Sequence, residues 1–563
     1  CAAAVAAVDK VVTDEEAKIA AGNAPAVAGD DYLDVGPAIG DVMLTYDWCF
    51  PTVTESQKSR WLAYSNQAVW NIWHHTEATW GGKAMPWNGW SVDDPMNNYY
   101  YSFLRATMLL GLAAHGELKE ADGWLTQFHD TDLTNTLLPK FEQDLKGGGS
   151  REGTGYGVAM RNLFELYDFW QASTGEDLAS KTGHTRASML SFLHSVLPTL
   201  DRMAPTGDHS RDSTAAFFDY ERAYLRTLSY LFPTDPLTPR AQYLLSHSSV
   251  TEMGQPFMYV YDFLYDQPAI VEQPLDPLGR AYFAPGTGQL YARSGWDKDA
   301  TWVNLIAGPY TETHAHQDQG ALMIYKGGWL AYDPVIDSHS GLPQQVEAHN
   351  VVRIEAGGAT VPQKASTASL LTALHRGSGW VHAASDLTPA YGGAAGVTKV
   401  QREIVYLEPD CVVVFDRVDT TPGMTKQIWQ LNAPRTPTIV GARTTIAGGP
   451  HTLNVDRILP AGAAATIFDW KTDPDFHGGA RLDETSNGGS TLHLHVLSLD
   501  GTVTSVAASN AAGRTGVAIA FANGSSATVR FGATAVDGTL DTKPSGGVVT
   551  SVALGAGVDP LPE

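Results

Sequence analysis

The feature that most constrains this chain is a change of period halfway along it. Before residue 266, apolar residues recur at helical spacing with no strand signal between them; after residue 285, short β-branched runs take over. Thr54 and Gln57 make a capping-box pattern ahead of Trp61, Leu62, Ala68, Val69, Ile72 and Trp73. Further stripes run through Tyr101, Leu104, Met108, Leu112 and His115; Leu163, Phe164, Tyr167 and Trp170, stopping near Gly175; Leu193, Val196, Leu197 and Leu200; and Tyr220, Tyr224, Leu228 and Leu231, ending before Pro233. Successive helices of similar length predict helical hairpins packed side by side, as a bundle or an α/α toroid. Pro268, Pro274, Pro277 and Pro285 crowd the junction and mark a linker. Beyond it, residues 302–306, 321–325, 351–354, 403–407, 411–415, 492–497 and 515–522 read as strands separated by Gly, Asp and Asn turns. Strands without intervening helices mean an antiparallel sandwich rather than βαβ units. The expected class is α+β multidomain, with an N-terminal (α/α) toroid over 1–275 and a C-terminal antiparallel β-sandwich domain over 276–563, which can comprise two sub-sheets.

With 563 residues the chain exceeds what one core supports, about 250 to 300. Lys and Arg number 37 against 61 Asp and Glu, a net charge of −24, which repels nucleic acid over most of the surface. A polyanionic sugar is not excluded, because salt screens distant charge within about 10 Å and a local cleft sets its own potential. No apolar run approaches the roughly 18 to 20 residues of a membrane helix; the longest candidates are 1–8 and 411–415. Cys1, Cys49 and Cys411 allow at most one disulfide and no cysteine metal cluster. Cys1 followed by Ala2, Ala3 and Ala4 matches a bacterial lipoprotein after signal-peptide removal, its thiol carrying a lipid anchor; a chain cut at an arbitrary point begins the same way. The expectation is an exported bacterial protein: periplasmic, an outer-membrane lipoprotein, or secreted. Its oligomeric state is not legible.

Three constellations can carry chemistry. The first is Thr313-His314-Ala315-His316-Gln317-Asp318-Gln319-Gly320, followed by Asp333 and His349-Asn350. On an extended strand His314, His316 and Asp318 share one face, and two imidazoles with a carboxylate suit a Zn²⁺-type ion. The second is Asp94-Pro95-Met96-Asn97-Asn98-Tyr99-Tyr100-Tyr101, where the asparagines either cap a helix or present amides to a ligand. The third is a glycine-rich loop over 147–157 that carries Arg151, Glu152 and Tyr156. It lacks the Lys-Ser/Thr ending and the preceding strand of a phosphate-binding loop, and its plain reading is a mobile loop with a packed tyrosine. His209-Ser210-Arg211-Asp212 either binds a sugar carboxylate or caps a helix. Trp80, Trp87 and Trp90 are candidates for stacking on pyranose rings, although most of the 15 tryptophans belong to cores.

Taken in order, an Asn-Asn pair before a helix, a Glu-Gly-x-Gly-Tyr loop, His-x-His-x-Asp-x-Gly, then Asp and His-Asn, the chain resembles the heparinase II/III-like polysaccharide lyases and the related toroid-plus-sandwich alginate lyases. Gln401-Arg402-Glu403-Ile404-Val405-Tyr406-Leu407 running into Val412-Val413-Val414-Phe415-Asp416-Arg417 adds to the likeness, which spans roughly residues 40 to 420. The resemblance implies an α/α toroid followed by an antiparallel sandwich, and β-elimination on a uronic-acid polysaccharide. That chemistry neutralises the uronate carboxylate, removes the weakly acidic C5 proton and protonates the departing O4.

By the same resemblance, Asn98 neutralises the carboxylate with help from His314. Tyr156, which lies 58 residues beyond Asn98, protonates the leaving oxygen and is one candidate base. A tyrosine base needs nearby positive charge, which Arg151 is placed in sequence to supply. His316, Asp333 and His349 would hold one divalent ion, Zn²⁺ by its ligand types, as a structural ion that fixes the loop of His314. Two positions depart from the family pattern. Tyr99 stands where many members have a histidine, and no tyrosine lies between Asp333 and His349, where His339 is the available group. The base therefore remains open among Tyr156, Tyr99 and His339, and with it the stereochemistry.

A toroid can also host a glycoside hydrolase, which needs two carboxylates about 5 to 9.5 Å apart, for which Glu152 and Asp94 are the available pair. A barrel-type His-x-His metal hydrolase would need an alternating β/α chain. A surface lipoprotein that binds polysaccharide without cleaving it is the non-enzymatic alternative. Few Lys and Arg accompany the candidate site, which favours a non-sulfated polyuronate, alginate or polymannuronate ahead of hyaluronan, heparosan, chondroitin or glucuronan.

Overall fold

A computed structural model of the chain describes residues 1–208, 215–334, 344–394, 396–472 and 479–560. The chain forms two compact units: Cys1–Leu145 with Gly157–Arg186 and Tyr230–Phe232, and Lys146–Tyr156 with Ala187–Ser229 and Pro233–Glu563. The secondary structure changes from helix to strand between Leu264 and Ala281, within the proline-rich stretch. The compact units divide the chain differently, because two segments of the helical half, Lys146–Tyr156 and Ala187–Ser229, fold with the sheets.

In the first unit, the Asn98–Ala113 helix packs against Val35–Trp48, Glu55–Trp73, Ala121–Thr126 and Met160–Thr174. Its residues Tyr100, Tyr101, Phe103, Leu104, Ala106, Met108 and Leu110 are buried all round, the composition a helix needs when it has no solvent face. Gly36 lets the Val35–Trp48 helix approach it closely: a Cβ there would meet Ser102 Oγ at 2.6 Å, and the Gly36 amide instead donates to that hydroxyl at 2.8 Å. The Thr54–Gln57 capping box forms as expected, and Gly175, left-handed at φ 81°, closes Met160–Thr174. The stripe at 193–200 is shorter than expected: the Gly183–Ser195 helix stops because Pro198 has no amide to continue it. A disulfide joins Cys1 to Cys49, so the Cys1 sulfur stands in a bridge rather than free for the expected lipid. Among the described residues no helix is long and apolar enough to cross a membrane.

The second unit is built around a nine-stranded sheet, ordered Thr438–Val440, Arg443–Gly448, His451–Leu459, Ser490–Leu499, Cys411–Thr420, Val397–Leu407, Trp380–Asp386, Leu370–Gly377 and Gly557–Val558, antiparallel except at the last pair. Both of its faces are covered. Ile404, Tyr406, Val412 and Val414 point into a core shared with Leu290, Val303, Leu305, Ile324, Ile354 and Leu431 from two five-stranded sheets. Val405, Leu407, Val413, Phe415, Leu494 and Val496 pack against Val517, Ile519, Val529, Phe531 and Leu540 of a third, C-terminal five-stranded sheet. Because successive side chains alternate faces, a doubly covered strand must be apolar at every position, which explains the unbroken Cys411-Val412-Val413-Val414-Phe415. The expected sandwich is thus observed with sheets on both faces of its central layer.

Candidate active site

The His motif departs from expectation in its backbone. Residues 311–320 form a loop between Pro309–Tyr310 and Leu322–Tyr325, not a strand, so alternation does not place His314, His316 and Asp318 on one face. The loop is held by its own glutamines. Gln319 Oε1 accepts from the Gly308 amide at 2.8 Å, the Gln319 amide and carbonyl both bond to the Gln363 side chain at 2.8 Å, and Gln317 Oε1 accepts from the Gln363 amide at 3.0 Å.

Asp208 joins the two histidines. His314 Nδ1 lies 2.9 Å from Asp208 Oδ2, His316 Nε2 lies 2.8 Å from Oδ1, and Gln344 Nε2 donates to Oδ1 at 2.9 Å. Burial pushes the Asp208 carboxyl up, but hydrogen bonds from His314, His316 and Gln344 and the charge of His316 outweigh it, so the group is held well below the usual carboxylate range. The glycine-rich segment turns into a short helix, Gly153–Gly157, that closes on the same point. Thr154 donates its amide to the Thr206 carbonyl at 2.7 Å, its hydroxyl bonds the Ala204 carbonyl, and the Gly155 amide reaches the Asp208 carbonyl at 3.1 Å. Gly153 is required here: at φ 83° its added Cβ would lie 2.3 Å from the Thr206 carbonyl. This places the Tyr156 ring flat on the His314 imidazole, with centroids 3.7 Å apart and planes 4° apart.

His316, Asp333 and His349 are neighbours, as the resemblance implies. His349 Nδ1 faces Asp333 Oδ2 at 2.9 Å, and the His316 and His349 rings are 5.3 Å apart. Burial lowers the His349 imidazole, but the charge and hydrogen bond of Asp333, with Asp318, raise it overall. Burial raises the adjacent Asp318 carboxyl. The donor chemistry, two imidazoles and a carboxylate, fits a divalent ion. Among the described residues, however, no three His, Cys, Asp or Glu groups converge on one point, and His316 directs its Nε2 to Asp208.

Asn98 and Tyr99 lie in the first unit. Asn97, not Asn98, caps the helix, accepting from the Tyr99 amide at 3.1 Å, which leaves Asn98 as its buried first residue. The Tyr99 hydroxyl donates to Asp30 at 3.0 Å. Arg151, expected beside Tyr156, donates Nε to the Gly286 carbonyl at 2.7 Å. His339 and the cluster at 209–212 lie outside the described residues. Trp80 is core, Trp87 donates to the Asn71 carbonyl at 2.9 Å, and Trp90 is exposed.

Sequence reasoning missed Asp208, Gln344 and Arg402. Arg402 is buried, pairs with Asp416 through Nε and Nη2 at 2.6 and 3.2 Å, and donates Nη1 to the Gly320 carbonyl at 2.6 Å and to that of Asn350. It therefore ties the ends of both histidine segments to the central sheet. For Arg402 the signal was present in the Arg402…Asp416 pattern; for Asp208 and Gln344 there was none.

No protein-family model and no curated protein matches this sequence. Solved structures do. The heparan sulfate lyase HepC of Pedobacter heparinus superposes with a TM-score of 0.60 at 13% identity, covering 87% of this chain and 73% of that one. A heparinase III does so with a TM-score of 0.63 at 13% identity, covering 93% and 75%. The fold, a helical half followed by an antiparallel sheet half, is therefore similar to that of these two lyases.

Proposed function

We propose that this chain is a polysaccharide lyase that cleaves a uronic-acid-containing polysaccharide by β-elimination. The observation that carries this reading is the Tyr156 ring lying flat on His314, with the short helix Gly153–Gly157 and the histidine loop bonded together through Asp208. In the proposed reaction His314 neutralises the uronate carboxylate, a role the sequence resemblance gives to Asn98 as well. A base removes the C5 proton, the resulting enolate expels O4 as the C4–O4 bond breaks, and the Tyr156 hydroxyl gives that oxygen its proton. Tyr156 is then the first candidate for the base as well, since the Tyr99 hydroxyl is engaged with Asp30. The product carries a C4=C5 double bond that absorbs in the ultraviolet.

The sparse basic residues of the sequence keep a non-sulfated polyuronate ahead, with alginate and heparosan the two polymers to compare first. The Cys1–Cys49 bridge supports an exported location, because disulfides persist in oxidising compartments. Absorbance at the unsaturated-uronate band, followed with alginate, polymannuronate, hyaluronan, heparosan, chondroitin and glucuronan, is expected to rise on at least one. New reducing ends without absorbance would replace this reading by hydrolysis, and binding without either by a non-catalytic carbohydrate protein.

The reading includes one structural divalent ion, Zn²⁺ by its donor types, held by His316, Asp333 and His349; when bound, it would cross-link the two histidine segments. Elemental analysis of the purified chain is expected to give about one ion per molecule, and His349→Ala to lose it with a 10- to 100-fold fall in activity. A parent chain that is active and free of metal would rule the ion out.

A further inference from the structure

We propose that Asp208 is a positioning residue that fixes the plane of the His314 ring, and with it the Tyr156–His314 stack; this rests on the lyase reading above. Its side chain is 2% exposed, yet it contacts both segments of the site. The Asp208 amide donates to the His314 carbonyl at 2.8 Å, and the Gly155 amide donates to the Asp208 carbonyl at 3.1 Å. Gly207, at φ 62°, is the hinge that allows this: a Cβ there would meet the His314 carbonyl at 2.8 Å.

These backbone bonds already hold the segments together, so the carboxylate has a separate task. An imidazole on a loop turns about its last side-chain bond unless a ring nitrogen is engaged. Oδ2 engages Nδ1 of His314, which sets the ring plane parallel to Tyr156 and leaves Nε2 as the nitrogen available to substrate. Oδ1 does the same for His316, and Gln344 supplies a third donor to that oxygen. One carboxylate thus orients the ring proposed to meet the uronate and the ring proposed to meet the ion, and it sets them relative to each other.

The test uses the full chain and its Asp208→Asn variant, which preserves shape but offers one accepting oxygen where two are needed. The unfolding midpoint is expected to stay at the parental value, KM to change by less than about threefold, and kcat to fall about 10- to 100-fold. In histidine-labelled protein, the side-chain nitrogen–proton spectrum of the parent is expected to show a protected Nδ1–H on His314 that the variant loses. A parental kcat in the variant, or absence of that protected proton in the parent, would overturn the assignment. The spectrum decides the matter even where Asp208→Asn does not fold. A parent that shows the protected proton but no absorbance rise on any polymer overturns the lyase reading instead, and leaves Asp208 as the group that orients the ring.

Discussion

Replacing Tyr156 with Phe is expected to lower kcat by about 10²- to 10⁴-fold, or roughly 2.7 to 5.4 kcal/mol of barrier, while leaving the unfolding midpoint unchanged. The change is confined to one oxygen. The ring, half-buried and stacked on His314 at 3.7 Å, is retained, and the bonds that hold its segment run through Thr154 and Gly155 rather than through the phenol. The same variant separates the two roles that the hydroxyl can play. If Tyr156 only protonates O4, a substrate with a phenolic leaving group, which departs without a proton, recovers most of the lost rate. If it also takes the C5 proton, the rate stays low whatever the leaving group. A variant kcat within about threefold of the parent would remove Tyr156 from the chemistry.

Arg402→Met is expected to cost about 3 to 5 kcal/mol of stability, the largest single effect on folding anticipated here. The guanidinium and the Asp416 carboxylate are each 2% exposed, so removing one leaves the other charged and without its partner in the core. The carbonyls of Gly320 and Asn350 lose their shared donor at the same time. Guanidinium unfolding is expected to show a lower midpoint. Adding Asp416→Leu is expected to restore part of it, since an apolar pair of similar volume replaces a buried ion pair at little cost. Activity is expected to stay low in the double variant, because neither new side chain reaches the two carbonyls. Recovery of activity together with stability would mean that Arg402 serves the core alone.

The fold was legible because its two periods are physically distinct: Trp61 to Ile72 at helical spacing and Cys411 to Phe415 as a continuous apolar strand leave little choice of element. Where the reading failed, the cause was local. Pro198 ended a helix that apolar spacing alone had extended, and the alternation argument for His314 to Asp318 required a strand where glutamine side chains build a loop. The candidate site was legible as residue types in order. Asp208 was not, since an aspartate outside every motif gives no sign that it will meet two histidines more than a hundred positions away. Nor did sequence distinguish Asn97, which caps, from Asn98, which follows it into the helix.

The doubly covered central sheet raises a problem of strand alignment. In a sheet with one wet face, sliding a strand by one residue exposes its apolar side chains, and that penalty fixes the pairing. Between Val397–Leu407 and Cys411–Thr420 both faces are apolar, so the penalty is weak. The pairing that places Arg402 opposite Asp416 and Gln401 opposite Arg417 is then selected by the few polar side chains inside. Glu403, fully buried and bonded to both His382 and Arg417, adds a second such lock. In this unit the buried charges act as alignment marks during folding, and the strand that carries Arg402 toward the histidine loops reaches them only if those marks are matched.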